Sequence, residues 1–237
     1  MVFFWLKSCI FDVIVSIKIF MYNMLMKKLS RKKRLTAALV INIIIIICEL
    51  YAHFVHFSIS SYIMYTMISN ALLLIVAIID SVYLVRALKG AKNTNPVWLQ
   101  RLRFMTTLSV AVTFIVTLTV LTWTTSLGFF FLMFGGTQLF LHTICPILAT
   151  FSFITLRKYH STANPESLYA MSFTLLYAAV FIPLNILKLF DGPYPFLMVY
   201  NQPVWATIAW LAVIIGGCYG LSRVILFLNQ RIRIKNN

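Results

Sequence analysis

The chain has 237 residues, of which 61% are hydrophobic and only 11% are charged. Soluble domains carry roughly 25% charged residues, so the composition excludes a soluble globular fold and predicts an all-α integral membrane protein. The length leaves room for about six or seven membrane helices of roughly 20 residues each and for no sizeable soluble domain. A formal charge of +15 would indicate nucleic acid in a soluble protein. Here the basic residues flank apolar segments, so we expect anionic headgroups on the cytoplasmic side of the bilayer as partners, and no nucleic acid.

Residues 1–34 form a basic N-terminal extension that has no clear membrane span. Charged residues interrupt residues 1–26, so this part contains no apolar run of about 20 residues. Two interpretations stay open, namely an amphipathic segment that lies in the membrane interface and a translation start at Met24 or Met26. The basic run KKLSRKKR at 27–34 then precedes an apolar stretch that is too long for a signal peptide and is followed by no small-residue cleavage site. We interpret that stretch as the first membrane helix.

Six apolar segments are each long enough to cross a bilayer. We predict spans at 35–54, 60–85, 104–123, 136–156, 168–187 and 204–228. Basic residues are concentrated in the connections 86–103 and 157–167 and in the tail 231–237. The other three connections, 55–59, 124–135 and 188–203, contain Lys188 as their only lysine or arginine. By the positive-inside rule, this alternation predicts a multi-pass cell-membrane protein with both termini in the cytoplasm, and it makes 35–230 one six-helix transmembrane domain.

With this topology, polar side chains from several parts of the chain fall in the outer half of the membrane. Thr66, Ser69 and Asn70 share one helical face, because spacings of three and four residues match the helical repeat. The other members come from the first span, the fourth span and the loop before the last span. The expected outer-leaflet pocket contains Glu49, Thr66, Ser69, Asn70, His142, Asp191 and Tyr194. Asp80 lies toward the cytoplasmic end, where we expect it to pair with a basic residue such as Arg86.

His142 is the residue on which the interpretation of this pocket depends. It lies in the apolar run TQLFLHTICP, and an ionisable group inside a bilayer is costly and usually faces a protein interior or a wet cavity. One interpretation is a structural histidine that hydrogen-bonds a neighbouring helix. The other is a catalytic base for Thr66, since a nucleophilic hydroxyl needs a group to take its proton, with Glu49 orienting the imidazole. Threonine in membrane helices commonly hydrogen-bonds its own backbone or a neighbouring helix, so the residues alone leave both interpretations open.

The sequence contains no pattern that predicts a metal ion or a cofactor. The cysteines lie far apart, within or beside apolar segments, and form no metal-spaced cluster with histidine. Glu49 and His53 are four residues apart, which is a loose carboxylate–histidine pair, and we expect no metal there.

Three short motifs fall on the expected pocket residues. They are YTMISNALL at 65–73, LFLHTICPIL at 139–148 and DGPYPFL at 191–197. Over approximately residues 35–230, these motifs and the six-span layout resemble the androgen-induced-gene family of membrane hydrolases and its uncharacterised bacterial six-helix relatives. The resemblance implies a threonine hydrolase that cleaves fatty acid esters of hydroxy fatty acids, with the nucleophile at Thr66 and the base at His142. Ser69 and Asn70 are in the style of the bacterial relatives, which leaves the substrate open.

Two functional hypotheses follow. The first is a membrane-embedded hydrolase of a lipid or fatty-acyl ester, in which Thr66 attacks the acyl carbonyl, His142 acts as base and then as acid, and Asn70 or a backbone amide stabilises the oxyanion. The second is a non-catalytic lipid-binding or transport protein that holds its substrate through Glu49, His142 and Asn70. Transporters often contain repeated halves, and this chain has no obvious internal repeat. The sequence does not define the oligomeric state.

Reporter fusions test the predicted topology. A reporter that is active only in the cytoplasm should be active at the N-terminus and at the C-terminus, because the positive-inside rule places both ends there. Activity of an exclusively extracytoplasmic reporter at either end would contradict the assignment.

Overall fold

The computed structural model describes residues 30–55, 58–190 and 192–235, so the two interpretations of residues 1–26 lie outside the described residues, as does Asp191. Within these ranges every regular element is helical and none is a strand, which confirms the all-α prediction. Five helices are long and apolar enough to cross a membrane. The outside of the bundle carries large, exposed apolar side chains, such as Phe54, Leu176, Ile208 and Val213. Such a surface suits a lipid environment better than water.

The helices follow one another with short connections. In chain order they are α1 (Arg31–Val55), α2 (Tyr65–Leu88), α3 (Val97–Thr124), α4 (Phe129–Phe134), α5 (Leu139–Thr155), α6 (Asn164–Ile186) and α7 (Val204–Lys235). Short 3-10 turns lie at Ile59–Ile63, Pro195–Leu197 and Val199–Asn201. The first four residues of the second predicted span therefore form a separate turn, and α2 begins at Tyr65. This later start puts Thr66 in the first turn of its helix.

The fourth predicted span differs most from its predicted form. Its helix, α5, falls short of the 18 residues that mark the five long helices. The helix cannot begin at Gly136, because that residue has a positive φ of 53°, which belongs to a turn. The first part of α5, Leu139–Ile144, is a π-helix that leads into Pro146. Proline has no backbone N–H to donate, and a wider turn accommodates the missing hydrogen bond.

A buried cluster of charged and polar side chains joins four segments at the end of the bundle away from Thr66. Asp80 of α2 accepts hydrogen bonds from Arg157 Nη2 at 2.6 Å and from Asn42 Nδ2 of α1 at 3.1 Å. Arg103 Nη1 of α3 lies 3.4 Å from the same carboxylate. Asp80 thus pairs with basic residues, as expected, but Arg86 is not one of them, since its guanidinium lies over the ring of a tyrosine on its own helix. The partners come from distant parts of the chain, which spacing along one helix cannot predict.

Polar contacts also satisfy the end of α5. Asn229 of α7 donates from Nδ2 to the carbonyl oxygens of Phe153 at 2.6 Å and Arg157 at 2.8 Å. The last carbonyls of a helix have no partner within the helix, so a buried asparagine on a neighbouring helix supplies the missing donors.

Replacing Asp80 with alanine should lower the free energy of unfolding by roughly 3–5 kcal/mol, because two buried guanidinium groups lose their shared carboxylate. Arg86→Gln is the matched control at the same end of the bundle and should change that free energy by less than about 0.5 kcal/mol. Reversible unfolding in mixed detergent micelles measures both values. Equal losses in the two variants would contradict the assignment of Arg103 and Arg157 as the partners of Asp80.

Candidate functional site

Thr66 is the second residue of α2 and lies at the end of the helix where backbone N–H groups lack helical partners. Its backbone N–H donates to the hydroxyl oxygen of Tyr194 at 3.3 Å. The Thr66 Oγ1 atom lies 3.5 Å from the same hydroxyl. The loop before α7 therefore reaches the start of α2, as the expected pocket requires, and only 7% of Thr66 is exposed.

Tyr194 is held so that its hydroxyl faces Thr66. Its ring stacks on Phe196, with the ring centroids 5.3 Å apart and the planes 4° from parallel. Burial raises the pKa of the Tyr194 hydroxyl above its usual value, and hydrogen bonding to Thr66 opposes that shift only in part. The phenol therefore stays protonated at neutral pH. It can accept from the backbone of Thr66 and still donate its own proton to Thr66 Oγ1 or to a ligand.

Ser69 and Asn70 brace the turn that carries Thr66. Ser69 Oγ donates to the Thr66 carbonyl at 3.0 Å, and Asn70 Nδ2 donates to the same oxygen at 2.9 Å. Asn70 Nδ2 also donates to the carbonyl of Leu141 in α5 at 3.1 Å. Both hydrogens of the Asn70 amide are therefore engaged, because a side-chain amide has only two to donate. Asn70 positions Thr66 and links α2 to α5, which differs from the oxyanion role expected for it.

His142 lies in the π-helical first part of α5 and is oriented by a backbone group. Its Nδ1 atom lies 2.7 Å from the carbonyl oxygen of Leu132 in α4. A carbonyl oxygen can only accept, so this contact assigns the ring proton to Nδ1 and leaves the lone pair of the neutral imidazole on Nε2. The next residue, Thr143, donates in the same way to the carbonyl of Met133 at 2.7 Å. A backbone carbonyl leaves no signal in a sequence, which is why this partner of His142 was not predicted.

The Asn70 side chain joins the turn that carries Thr66 to the turn that carries His142. Asn70 joins the carbonyl of Thr66 to that of Leu141, the residue directly before His142. Among the described residues, no hydrogen bond joins the Thr66 hydroxyl to the imidazole; that hydroxyl lies by Tyr194 and the Nδ1 atom by Leu132. Proton transfer between them would need a bridging water or a tightening of the site around a substrate.

Glu49 belongs to a neighbouring buried cluster. Its side chain is fully buried, and Nε2 of the His53 imidazole lies 3.6 Å from its Oε2 atom. His53 Nδ1 in turn lies 3.1 Å from the Tyr62 hydroxyl. The thiol of Cys145, on α5, lies beside the Glu49 carboxylate. The carboxylate thus contacts the helix that carries His142, whereas the group that orients the His142 ring is the Leu132 carbonyl. Within the described part of the chain, no three His, Cys, Asp or Glu side chains are grouped closely enough to hold a metal ion.

An apolar cavity of about 70 Å³ lies beside Thr66, between α2, α3, α6 and α7. Its polar lining consists of hydroxyl-bearing residues, and the remainder of its wall is aliphatic or carries the aromatic ring of Phe196. The hydroxyl-bearing residues are Tyr65, Thr66, Thr113, Thr117, Thr174, Tyr177 and Tyr194. Mostly apolar walls with a few placed hydroxyls suit an acyl chain that ends in a carbonyl group. Thr113 and Thr117 were not predicted, although their spacing of four residues puts them on one helical face.

A second apolar cavity, of about 160 Å³, lies between α3 and α7 and shares part of its wall with the first. The two cavities share lining residues, which are Val112, Val116, Phe196 and Ile214. Gly217 lines the second cavity at a point where an added Cβ would have no neighbouring atom within 4 Å. The space between α3 and α7 is therefore lined mainly by apolar side chains.

The structure brings the predicted residues Thr66, Ser69, Asn70 and Tyr194 into direct contact. Asn70 also contacts the carbonyl of Leu141, which directly precedes His142 in the chain. Comparisons of the chain with protein-family models, with curated proteins and with solved structures found no match.

Proposed function

We propose that the protein is a membrane-embedded hydrolase that cleaves a lipid or fatty-acyl ester, with Thr66 as nucleophile and His142 as base. The observation that carries the proposal is the position of the Thr66 hydroxyl, which lies in the wall of an apolar cavity and beside the Tyr194 hydroxyl. The resemblance of the Thr66 and His142 motifs to the androgen-induced-gene family supports the same assignment. The substrate class follows from the apolar lining, which suits an acyl chain.

The reaction would proceed through an acyl-enzyme. Thr66 Oγ1 would attack the ester carbonyl while its proton passes to the free Nε2 of His142, through a water or after closure of the site. Collapse of the tetrahedral intermediate would break the ester C–O bond, and the imidazolium would return the proton to the leaving alcohol. Water would then hydrolyse the threonine ester by the reverse sequence of proton transfers, which frees the fatty acid and restores the Thr66 hydroxyl.

The other residues of the pocket would position these two. Ser69 and Asn70 hold the carbonyl of Thr66 and so fix the turn from which its side chain projects. The Leu132 carbonyl, which accepts from Nδ1, would stabilise the imidazolium as it forms. Tyr194 would donate to the developing oxyanion, because its protonated hydroxyl is beside Thr66 Oγ1 and the Asn70 amide is already engaged.

The membrane topology is part of this proposal. Six spans with both termini in the cytoplasm would place the start of α2, and hence Thr66, in the outer half of the bilayer. Supporting this are the alternation of basic connections along the chain and the apolar character of α5. A substrate would then reach Thr66 from the outer leaflet.

One observation favours a second function, that of a non-catalytic lipid-binding or transport protein. No direct hydrogen bond joins Thr66 to His142 among the described residues, and the two neighbouring cavities offer apolar surface for a lipid chain. In that case the hydroxyl groups around Thr66 would bind the polar end of the lipid without attacking it.

A fluorophosphonate probe separates the two functions, because only an activated hydroxyl attacks its phosphorus and expels fluoride. Wild-type protein should be labelled, and Thr66→Ala should not be. His142→Asn should be labelled roughly 10²–10⁴-fold more slowly, since it loses the base but keeps an amide donor near the position of Nδ1 for the Leu132 carbonyl. Labelling is read by in-gel fluorescence and by mass spectrometry of the modified peptide.

Thr117→Ala is the matched control for Thr66→Ala. Thr117 lines the same cavity, and its buried hydroxyl has no hydrogen-bond partner in the described structure, so its removal should leave labelling unchanged. Labelling of Thr66→Ala at the wild-type rate would refute the nucleophile. A wild type that resists the probe but takes up or binds a defined lipid in proteoliposomes, equally well as Thr66→Ala, would favour the second function.

Tyr194→Phe tests the oxyanion donor. It should lower kcat toward a chromogenic medium-chain fatty-acyl ester by roughly 10²–10³-fold, with a much smaller change in KM, because the lost hydrogen bond strengthens only in the transition state. Tyr200→Phe makes the same chemical change in the same loop, where the hydroxyl donates to the Ile186 carbonyl, and should leave kcat within about twofold. Equal kcat for Tyr194→Phe and wild type would remove Tyr194 from the mechanism.

A further inference from the structure

A basic cavity lies at the end of the bundle away from Thr66. It has a volume of about 210 Å³ and lies between the start of α1, the connection from α2 to α3 and the segment after α5. Its polar and charged lining consists of Arg31, Arg34, Thr94, Asn95, Arg157 and Lys158. A single water needs only about 10–15 Å³ measured in the same way. The basic cavity therefore has room for a group as large as a phosphate.

The basic side chains that line this cavity, together with the neighbouring Arg103, outnumber the acidic side chains that contact them. None of its lining residues is acidic. Arg157 reaches the carboxylate of Asp80, but the same carboxylate also lies beside Arg103, so two guanidinium groups share one negative charge. The side chains of both arginines are only 8% exposed. A buried charge without compensation is strongly unfavourable, and an anion in the basic cavity would supply the missing negative charge.

The second sign of a ligand is the buried hydrogen-bonding capacity of Arg103. Its Nε and Nη1 atoms have no hydrogen-bond partner in the described part of the chain. Its Nη2 atom donates at 2.6 Å to Oδ1 of Asn95, which lines the basic cavity. Arg157 lines both this cavity and a smaller one, of about 30 Å³, that contains Arg103. The Arg103 guanidinium, whose Nη1 atom reaches only Asp80 at 3.4 Å, is thus connected to the cavity wall by Asn95 and Arg157.

The residue types indicate the chemistry of the ligand. An arginine guanidinium presents paired N–H groups that match the oxygens of a phosphate, and three arginines line this cavity. The hydroxyl of Thr94 and the amide of Asn95 add neutral donors at the same site. We propose that the basic cavity is a binding site for a phosphate group carried by an anionic lipid headgroup or by a soluble phosphate compound. The site uses no residue of the Thr66 pocket, so it does not depend on the hydrolase assignment.

The test uses the full-length protein in detergent micelles and counts bound lipid by native mass spectrometry. Dioleoyl phosphatidic acid should bind wild-type protein more tightly than dioleoyl phosphatidylcholine of the same chain length. The variant Arg31→Gln/Arg34→Gln removes two cations whose side chains have no hydrogen bond or ion pair in the described structure, so it should keep its unfolding midpoint. Its dissociation constant for phosphatidic acid should rise roughly thirtyfold, given the contribution of each basic residue beside an anionic headgroup.

Lys89→Gln/Lys92→Gln is the charge-matched control. These exposed lysines lie in the connection from α2 to α3 but do not line the basic cavity, so phosphatidic acid should bind this variant within about twofold of wild type. Equal weakening in the two double variants would mean general surface attraction and would overturn the proposal. Equal binding of the two lipids to wild type would overturn it as well.

Inorganic phosphate identifies the source of the phosphate group. Millimolar phosphate is compared with chloride at equal ionic strength. If phosphate displaces phosphatidic acid, and if it raises the unfolding midpoint of wild type but not of Arg31→Gln/Arg34→Gln, the site accepts soluble phosphate. If phosphate has no such effect while phosphatidic acid still distinguishes the two double variants, the ligand is a lipid headgroup. Either result supports a phosphate site, and loss of selectivity in both arms excludes it.

Discussion

Inside a bilayer a backbone group finds no water to bind, so every interruption of a helix must be satisfied by the protein itself. This constraint explains why the candidate site lies where it does. The first turn of α2 receives the Tyr194 hydroxyl at Thr66, and the carbonyls at the end of α4 receive His142 and Thr143. The same need is met at the end of α5 by Asn229. At each of these interruptions a polar side chain supplies a partner that the helix itself lacks.

The contacts that stabilise the fold around Thr66 and His142 would also serve the proposed reaction. A hydrogen bond from Nδ1 to the Leu132 carbonyl holds the His142 ring in place and leaves Nε2 with its lone pair. The amide of Asn70 joins the turns that carry Thr66 and His142, although it touches neither side chain's reactive atom. A structural contact and the proposed catalytic role would therefore use different atoms of His142. The Nδ1 atom makes the contact with Leu132, and the base of the proposed hydrolase would be Nε2.

The helical architecture could be predicted because it depends on the length and composition of each apolar segment, and those are local properties. Helix ends were less predictable. The helix α2 starts at Tyr65, later than predicted, because the preceding residues form a 3-10 turn. The helix α5 also starts later than predicted, after the positive φ of Gly136. Neither of these later helix starts alters the hydropathy of its segment, so composition could not predict where the helix begins. Partners across the bundle, such as Arg103 and Arg157 for Asp80, depend on how helices pack and leave no trace in the spacing of residues.

Within the candidate site, the prediction was best for residues that share a helical face and weakest for backbone partners. Thr66, Ser69 and Asn70 were placed together by their spacing, and Tyr194 was added by its place in the loop before the last helix. Their contacts agree with that grouping. The detailed role expected of Asn70 was different, because the carbonyls of Thr66 and Leu141 take both of its amide hydrogens. Which hydrogens of an amide are free is a question of three-dimensional geometry.

The partner of the His142 ring is a peptide oxygen, and no side-chain substitution can delete a peptide oxygen. A scan that replaces residues one at a time would record Leu132 as an ordinary apolar position and miss its contact with the imidazole. The mutable control over this contact lies in the backbone around α4. Gly128 has a φ of 74°, and a Cβ added at Gly135 would approach the Phe131 carbonyl to 2.6 Å. Glycines at both ends of this six-residue helix thus allow the backbone conformation in which the Leu132 carbonyl meets the His142 ring.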